Sequence, residues 1–119
     1  PHLRELDGVF VLLGSFKGRY PSASTPVYAA TKWWLRGFAR SVAARAGTDG
    51  VGVSVINPTG VRTEFGAELR GETNDDRLPA GETLEPEPVA DAVACAVDQE
   101  PPAVVSELNL DRRDVLARF

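Results

Sequence analysis

The sequence predicts an α/β chain in which about three parallel strands alternate with flanking helices. Three strand-length segments, near Val9–Leu13, Val51–Ile56 and Val104–Leu110, are separated by helical stretches of about 27–46 and 88–99. Strands alternating with helices imply parallel pairing through crossovers, which are almost always right-handed. The run Gly8-Val9-Phe10-Val11-Leu12-Leu13 is apolar throughout, which predicts a strand buried on both faces.

Each element has a local reason. Residues 1–6 read as the tail of a helix, and the first strand ends in Gly14-Ser15. Thr25-Pro26 supplies a predicted N-cap and first-turn proline for the helix of about Val27–Ala46. Asp49-Gly50 marks the turn into the second strand. A short polar segment precedes the helix of about Pro88–Gln99, which Pro101-Pro102 terminates. There is no internal repeat, and the chain reads as one domain.

Composition bounds the partners. With 119 residues, 43% apolar and 25% charged, the chain suits one globular domain. A net charge of −4 argues against nucleic acid or an anionic membrane surface as partner. No apolar run is long enough to span a bilayer and no leader is evident, which predicts a cytoplasmic location. The single cysteine permits no internal disulfide. Cys95, within the apolar stretch Ala90–Val97, is expected to be a small core residue.

The chemistry is concentrated in two short stretches. Tyr28 and Lys32 stand four apart on the predicted helix, so they share one face. An ammonium there is expected to favour the ionised phenol, lowering its pKa from about 10. A tyrosine so placed can act as general acid or base toward a substrate oxygen. Ser15, at the end of the first strand, can hold that oxygen with its hydroxyl. Ligands of doubly wound sheets bind at the carboxyl ends of the strands, where both Ser15 and the loop Pro58–Thr63 are expected. An isolated Tyr/Lys pair is common on surface helices, so its neighbours give it weight.

With those residues in hand, the chain resembles the short-chain dehydrogenase/reductase family. Gly8–Ser15 is similar to the family's fifth strand, and Gly18 stands where the family has a glycine three residues after its serine. Tyr28-Ala29-Ala30-Thr31-Lys32, followed by Leu35, Gly37 and Phe38, resembles the active-site helix. Val53–Phe65 is similar to the sixth strand and nicotinamide loop, Leu84–Ala90 to the start of the last helix, and Val104–Leu110 to the last strand. The resemblance implies the carboxyl-terminal half of a Rossmann-like doubly wound parallel sheet. It also implies that the amino-terminal cofactor-binding half, with its glycine-rich turn, is absent from this sequence.

Further implications are chemical. Ser15, Tyr28 and Lys32 would be catalytic. Tyr28, Lys32, Pro58, Thr59, Gly60, Val61 and Thr63 would bind NADP or NAD, with NADP favoured. Hydride would pass between that cofactor and a small carbonyl or alcohol substrate. The family places Pro-Gly where this chain has Pro58-Thr59, which alters the loop path. The polar stretch of about 64–83 would be the substrate lid; Asp75 and Asp76 there do not suggest a metal. His2, the only histidine, is not expected to be catalytic.

Trp33 and Trp34 are adjacent on the helix and cannot both face one core. One is expected to pack with Leu35, Phe38 and Val42, and the other to be covered by a neighbouring subunit in a homodimer or homotetramer. The alternative to an oxidoreductase is a non-catalytic remnant, or a structural or oligomerisation partner lacking cofactor binding. The first strand's unpaired hydrophobic edge is an aggregation hazard that disfavours the isolated chain as an independent enzyme.

Overall fold

The structure is a computed structural model that describes residues 1–63, 71, 81 and 83–116. In chain order its elements are α1 (His2–Glu5), β1 (Val9–Leu13), α2 (Pro26–Ala46), β2 (Gly52–Pro58), α3 (Pro86–Val97) and β3 (Glu107–Leu110). Short 3-10 turns at Phe16–Gly18 and Gly47–Asp49 flank α2. The three strands form one parallel sheet in the order β1-β2-β3. Register sets Leu13 beside Ile56, and Val55 beside Glu107. The predicted α/β class with flanking helices is what the chain adopts.

Strand periodicity divides β2 between two cores. Val53 and Val55 face α2, packing on Ala39 with Leu12, Val42, Ala43 and Ala46 around them. Ile56, one residue on, faces α3 and packs on Ala92 and Ala96, with Val11, Val93, Val105, Leu108 and Leu110. Both helices present alanine at their buried positions, so the sheet supplies the large side chains of the core. Ile56 has no exposed surface, and burying a side chain of that size contributes about 2 kcal/mol.

The sequence expectations are corrected in several places. β2, the central strand, is the one covered on both faces. β1 has a strand neighbour on one side only, and its Phe10 and Leu13 are exposed. Pro26 opens α2 as expected, but the Thr25 side chain makes no capping bond; its Oγ1 accepts from Lys17 Nζ at 2.7 Å. α3 begins at Pro86, because a proline in the first turn forfeits no intrahelical bond. It ends at Val97, and the Gln99 side chain donates to the Cys95 carbonyl at 2.9 Å near that end. β3 starts at Glu107 and not at Val104. Gly50 turns the chain into β2 with φ 76°, in line with the Asp49-Gly50 turn.

Neither indole is buried. Trp33 is 48% and Trp34 64% exposed, and Phe38, expected beside one of them, is exposed too. Trp34 stacks on Phe38 at 5.0 Å and Trp33 lies under the Arg36 guanidinium at 5.9 Å, so both lie along the side of α2. Cys95 is likewise exposed, since α3 turns Ala92 and Ala96 to the sheet. Most of the segment 64–83, the expected lid, lies outside the described residues, as do Asp75 and Asp76. Among the described residues no helix is long and apolar enough to cross a membrane, and no cluster could hold a metal ion.

Candidate active site

The carboxyl end of β1 leads to Ser15, and the first turns of α2 carry Tyr28 and Lys32. Lys32, one turn after Tyr28, reaches back across the 3-10 turn, and its Nζ donates to the Leu13 carbonyl at 3.0 Å. Its ammonium lies 5.7 Å from the centre of the Tyr28 ring. Ser15 follows Leu13 by two residues. Partial burial lowers the Lys32 pKa from its ordinary 10.5.

Ser15 is anchored on three sides. Its N–H donates to Asn57 Oδ1 at 3.3 Å, its Oγ accepts the Lys17 N–H at 3.2 Å, and its carbonyl accepts the Gly18 N–H at 2.9 Å. The hydroxyl thereby caps the turn Phe16–Gly18 and still has its own proton to donate. Glycine is required twice nearby. A β-carbon on Gly14 would collide with Asn57 Oδ1, and one on Gly18 would stand 2.8 Å from the Lys32 carbonyl oxygen.

Polar residues that sequence reasoning missed surround this end of the sheet. Asn57, fully buried, donates from Nδ2 to Glu107 Oε1 at 2.7 Å and to Asn109 Oδ1 at 3.0 Å. Glu107 also accepts from Arg36 Nε at 2.6 Å and Arg40 Nη2 at 3.2 Å. Burial alone would raise the Glu107 pKa, but the Arg36 hydrogen bond and charge, with the Asn57 and Arg40 bonds, lower it below the ordinary 4.5. Arg36 Nη1 donates in turn to the Gly18 carbonyl at 2.9 Å. The available signal was the series Tyr28, Lys32, Arg36, Arg40, four polar side chains at four-residue spacing on one helix face.

A second tie holds the same turn from outside. Arg19 grips Asp111, just beyond β3, through contacts of 2.6 and 2.8 Å. Its guanidinium also lies over the rings of Phe16 and Tyr20, at 5.4 and 5.3 Å.

The residues expected to contact cofactor follow the end of β2. Pro58 is its last residue, and the Thr59 N–H donates to the Leu110 carbonyl at 3.0 Å. Gly60, Val61 and Arg62 turn back against Leu84: Leu84 N–H donates to the Gly60 carbonyl at 2.9 Å, and Arg62 N–H to the Leu84 carbonyl at 3.0 Å. Thr63, half-buried, follows. Thr59 is buried, and among the described residues its Oγ1 has no hydrogen-bond partner. The Ser15 hydroxyl and the Tyr28 and Lys32 side chains are the polar groups that could meet a ligand rich in hydroxyl and amide groups, such as a nicotinamide riboside.

Comparison with known proteins shows the family of the chain. The family model described as short chain dehydrogenase matches residues 1–74. The chain belongs to the short chain dehydrogenase family. A short-chain dehydrogenase/reductase, prx7, of Penicillium rubens is 36% identical over 87% of this chain and 35% of its own length. Carbonyl reductase family member 4 of Xenopus laevis is 30% identical over 76% of this chain and 39% of that protein. Among solved structures, the closed form of serine dehydrogenase complexed with NADP+ superposes with TM-score 0.79 at 26% identity, over 92% of this chain and 46% of that one. A 3-ketoacyl-(acyl-carrier-protein) reductase from Brucella melitensis complexed with NADH shares the fold, with TM-score 0.74 at 22% identity over 93% of this chain and 48% of that one. This short chain dehydrogenase therefore spans between about a third and a half of the length of the proteins it matches.

Proposed function

We propose that the protein carrying this chain is an NAD(P)-dependent oxidoreductase that moves hydride between the nicotinamide and a small carbonyl or alcohol, with Ser15, Tyr28 and Lys32 as its catalytic residues. The observation that carries the reading is the Lys32 bond to the Leu13 carbonyl, which ties the Tyr28 helix to the strand end that delivers Ser15. The nicotinamide, when bound, supplies or takes the hydride.

The chain's own residues do the rest. Tyr28 gives its phenolic proton to the carbonyl oxygen in reduction and takes it from the alcohol in oxidation. Ser15 donates its hydroxyl proton to the same oxygen and steadies the charge that develops there; the Lys17 N–H already bonded to Oγ leaves that proton available. Lys32 has three donors and spends one on Leu13, which leaves two for the ribose hydroxyls and the phenol. Thr63 bonds the carboxamide, and Pro58, Thr59, Gly60 and Val61 shape the wall against the nicotinamide ring.

The NADP+ in the related serine dehydrogenase supports NADP as the cofactor here. The net charge of −4 speaks against nucleic acid and an anionic membrane surface as partners. The exposed indoles of α2 support assembly as a homodimer or homotetramer. Replacing Tyr28 by Phe in the intact protein removes most turnover of aldehydes or ketones with NADPH while circular dichroism is unchanged; near-normal turnover refutes the assignment.

The open edge of β1, with Phe10 and Leu13 exposed, supports a second reading of the 119-residue chain by itself as a structural partner that binds no cofactor. Titration of this chain with NADPH and NADH, followed by nicotinamide fluorescence, separates the two readings. Saturable binding rejects the structural one.

A further inference from the structure

The hydrogen bonds around Ser15 close into a ring. Ser15 N–H reaches Asn57 Oδ1, Asn57 Nδ2 reaches Glu107, Glu107 is held by Arg36, Arg36 reaches the Gly18 carbonyl, and Gly18 N–H returns to the Ser15 carbonyl. We propose that Asn57, oriented by Glu107, is a positioning residue that sets the Ser15 hydroxyl for the reaction. The inference rests on the reading of Ser15 given above, and extends it to residues that touch neither substrate nor cofactor.

The orientation of the Asn57 amide is decided by charge. Asn57 has no exposed surface, and a buried amide is costly unless its donors and acceptor are all matched. Here Oδ1 accepts from Ser15, while the two Nδ2 protons go to Glu107 Oε1 and Asn109 Oδ1. Turned over, the amide would set its oxygen against the Glu107 carboxylate and its NH2 against the Ser15 N–H, so both contacts would become repulsive. The carboxylate therefore determines that Ser15 meets an acceptor. Glu107 is itself held by Arg36 Nε at 2.6 Å and Nη2 at 3.3 Å, and by Arg40 Nη2 at 3.2 Å.

The ring leaves the reacting atom outside it. Ser15 is gripped through its N–H and its carbonyl, and its Oγ bonds only the neighbouring Lys17 N–H among the contacts of the ring and turn. Arg36 lies one helical turn beyond Lys32 and two beyond Tyr28, so the ring also fixes α2 against the end of β1. Serine, tyrosine and lysine are thereby held relative to one another by a part of the fold that takes no share in the proton transfer. Displacing a reacting group by about 1 Å costs up to about 100-fold in rate, which is the scale expected here.

The test combines kinetics with amide exchange in the intact protein. With NADPH and a panel of simple aldehydes and ketones, Asn57→Ala lowers kcat by roughly 10- to 100-fold and leaves the KM for NADPH unchanged. Ser15→Ala combined with Asn57→Ala is no slower than Ser15→Ala alone, because Asn57 acts through Ser15. Unchanged kcat in Asn57→Ala, or losses that simply multiply in the double variant, overturns the proposal. Normal turnover in Ser15→Ala overturns instead the reading of Ser15 on which it rests. Hydrogen exchange read by NMR decides placement independently of turnover. In Asn57→Ala the Ser15 amide exchanges at least about 10-fold faster, less so in Glu107→Gln, while the Gly14 amide, bonded to the Ile56 carbonyl, is unaffected. Acceleration spread evenly along β1 makes Asn57 a purely structural residue and overturns the inference.

Discussion

The backbone of Gly14 passes so close to Asn57 that a β-carbon on the glycine would overlap the amide oxygen of the asparagine. Asn57 cannot retreat, because it is fully buried and bonded to Ser15, Glu107 and Asn109. Gly14→Ala is therefore expected to destabilise the fold by about 1–3 kcal/mol, the usual cost of overpacking. Urea unfolding checks this, with a fall in midpoint at constant slope; an unchanged midpoint would show that Asn57 can move aside.

Glu107 carries a pH dependence of definite sign. Its folded pKa lies below the ordinary 4.5, since Arg36, Asn57 and Arg40 outweigh burial. Its stabilising contribution is then fully present above pH 4.5 and is lost as pH falls through the lowered folded value. Glu107→Gln should be less stable than the unaltered chain at pH 7, and the gap in melting temperature should close on acidification below pH 4.5. A gap independent of pH would remove the carboxylate from the account.

Lys32 gives a dependence of the same sign in a higher pH range. Burial lowers its folded pKa below 10.5, so the unfolded chain holds the proton more tightly and stability gains as pH rises between the two values. Compared with Lys32→Met, the unaltered chain should improve in relative urea midpoint as pH rises through the lowered folded value toward 10.5. A constant difference across that range would mean that the ammonium is solvated.

Trp34 is 64% exposed and stacked on Phe38, which is itself exposed. Both belong to the face that a second copy would cover in a homodimer or homotetramer. Trp34→Asp should shift the intact protein toward smaller species in sedimentation velocity, with its circular dichroism intact. An intact protein that already sediments as a monomer would refute the assembly.

Legibility in the sequence followed the range of the interactions. β1 and α2 were readable to within a residue or so, because strand length, a first-turn proline and helical spacing are local properties. The positions of Ser15 at a strand end and of Tyr28 and Lys32 one turn apart on a helix are local in the same way. Asn57, Glu107 and Arg36 were not readable, since their contacts join residues 50 and 71 positions apart. The faces of α3 were ambiguous for another reason. Ala90–Val97 is apolar nearly all round except at Asp91, so only packing against Ile56 reveals that Ala92 and Ala96 turn inward and Cys95 outward.

The pairing of Val61 with Leu84 makes a narrow neck. The pairing closes the stretch of chain between residues 61 and 84. Doubling the length of such a closed loop costs only about 0.6 kcal/mol. Insertions and deletions between these two residues can therefore accumulate during divergence while β2, α3 and the carboxyl end of β1 stay as they are. The neck lets one part of the molecule change freely and leaves the rest under constraint.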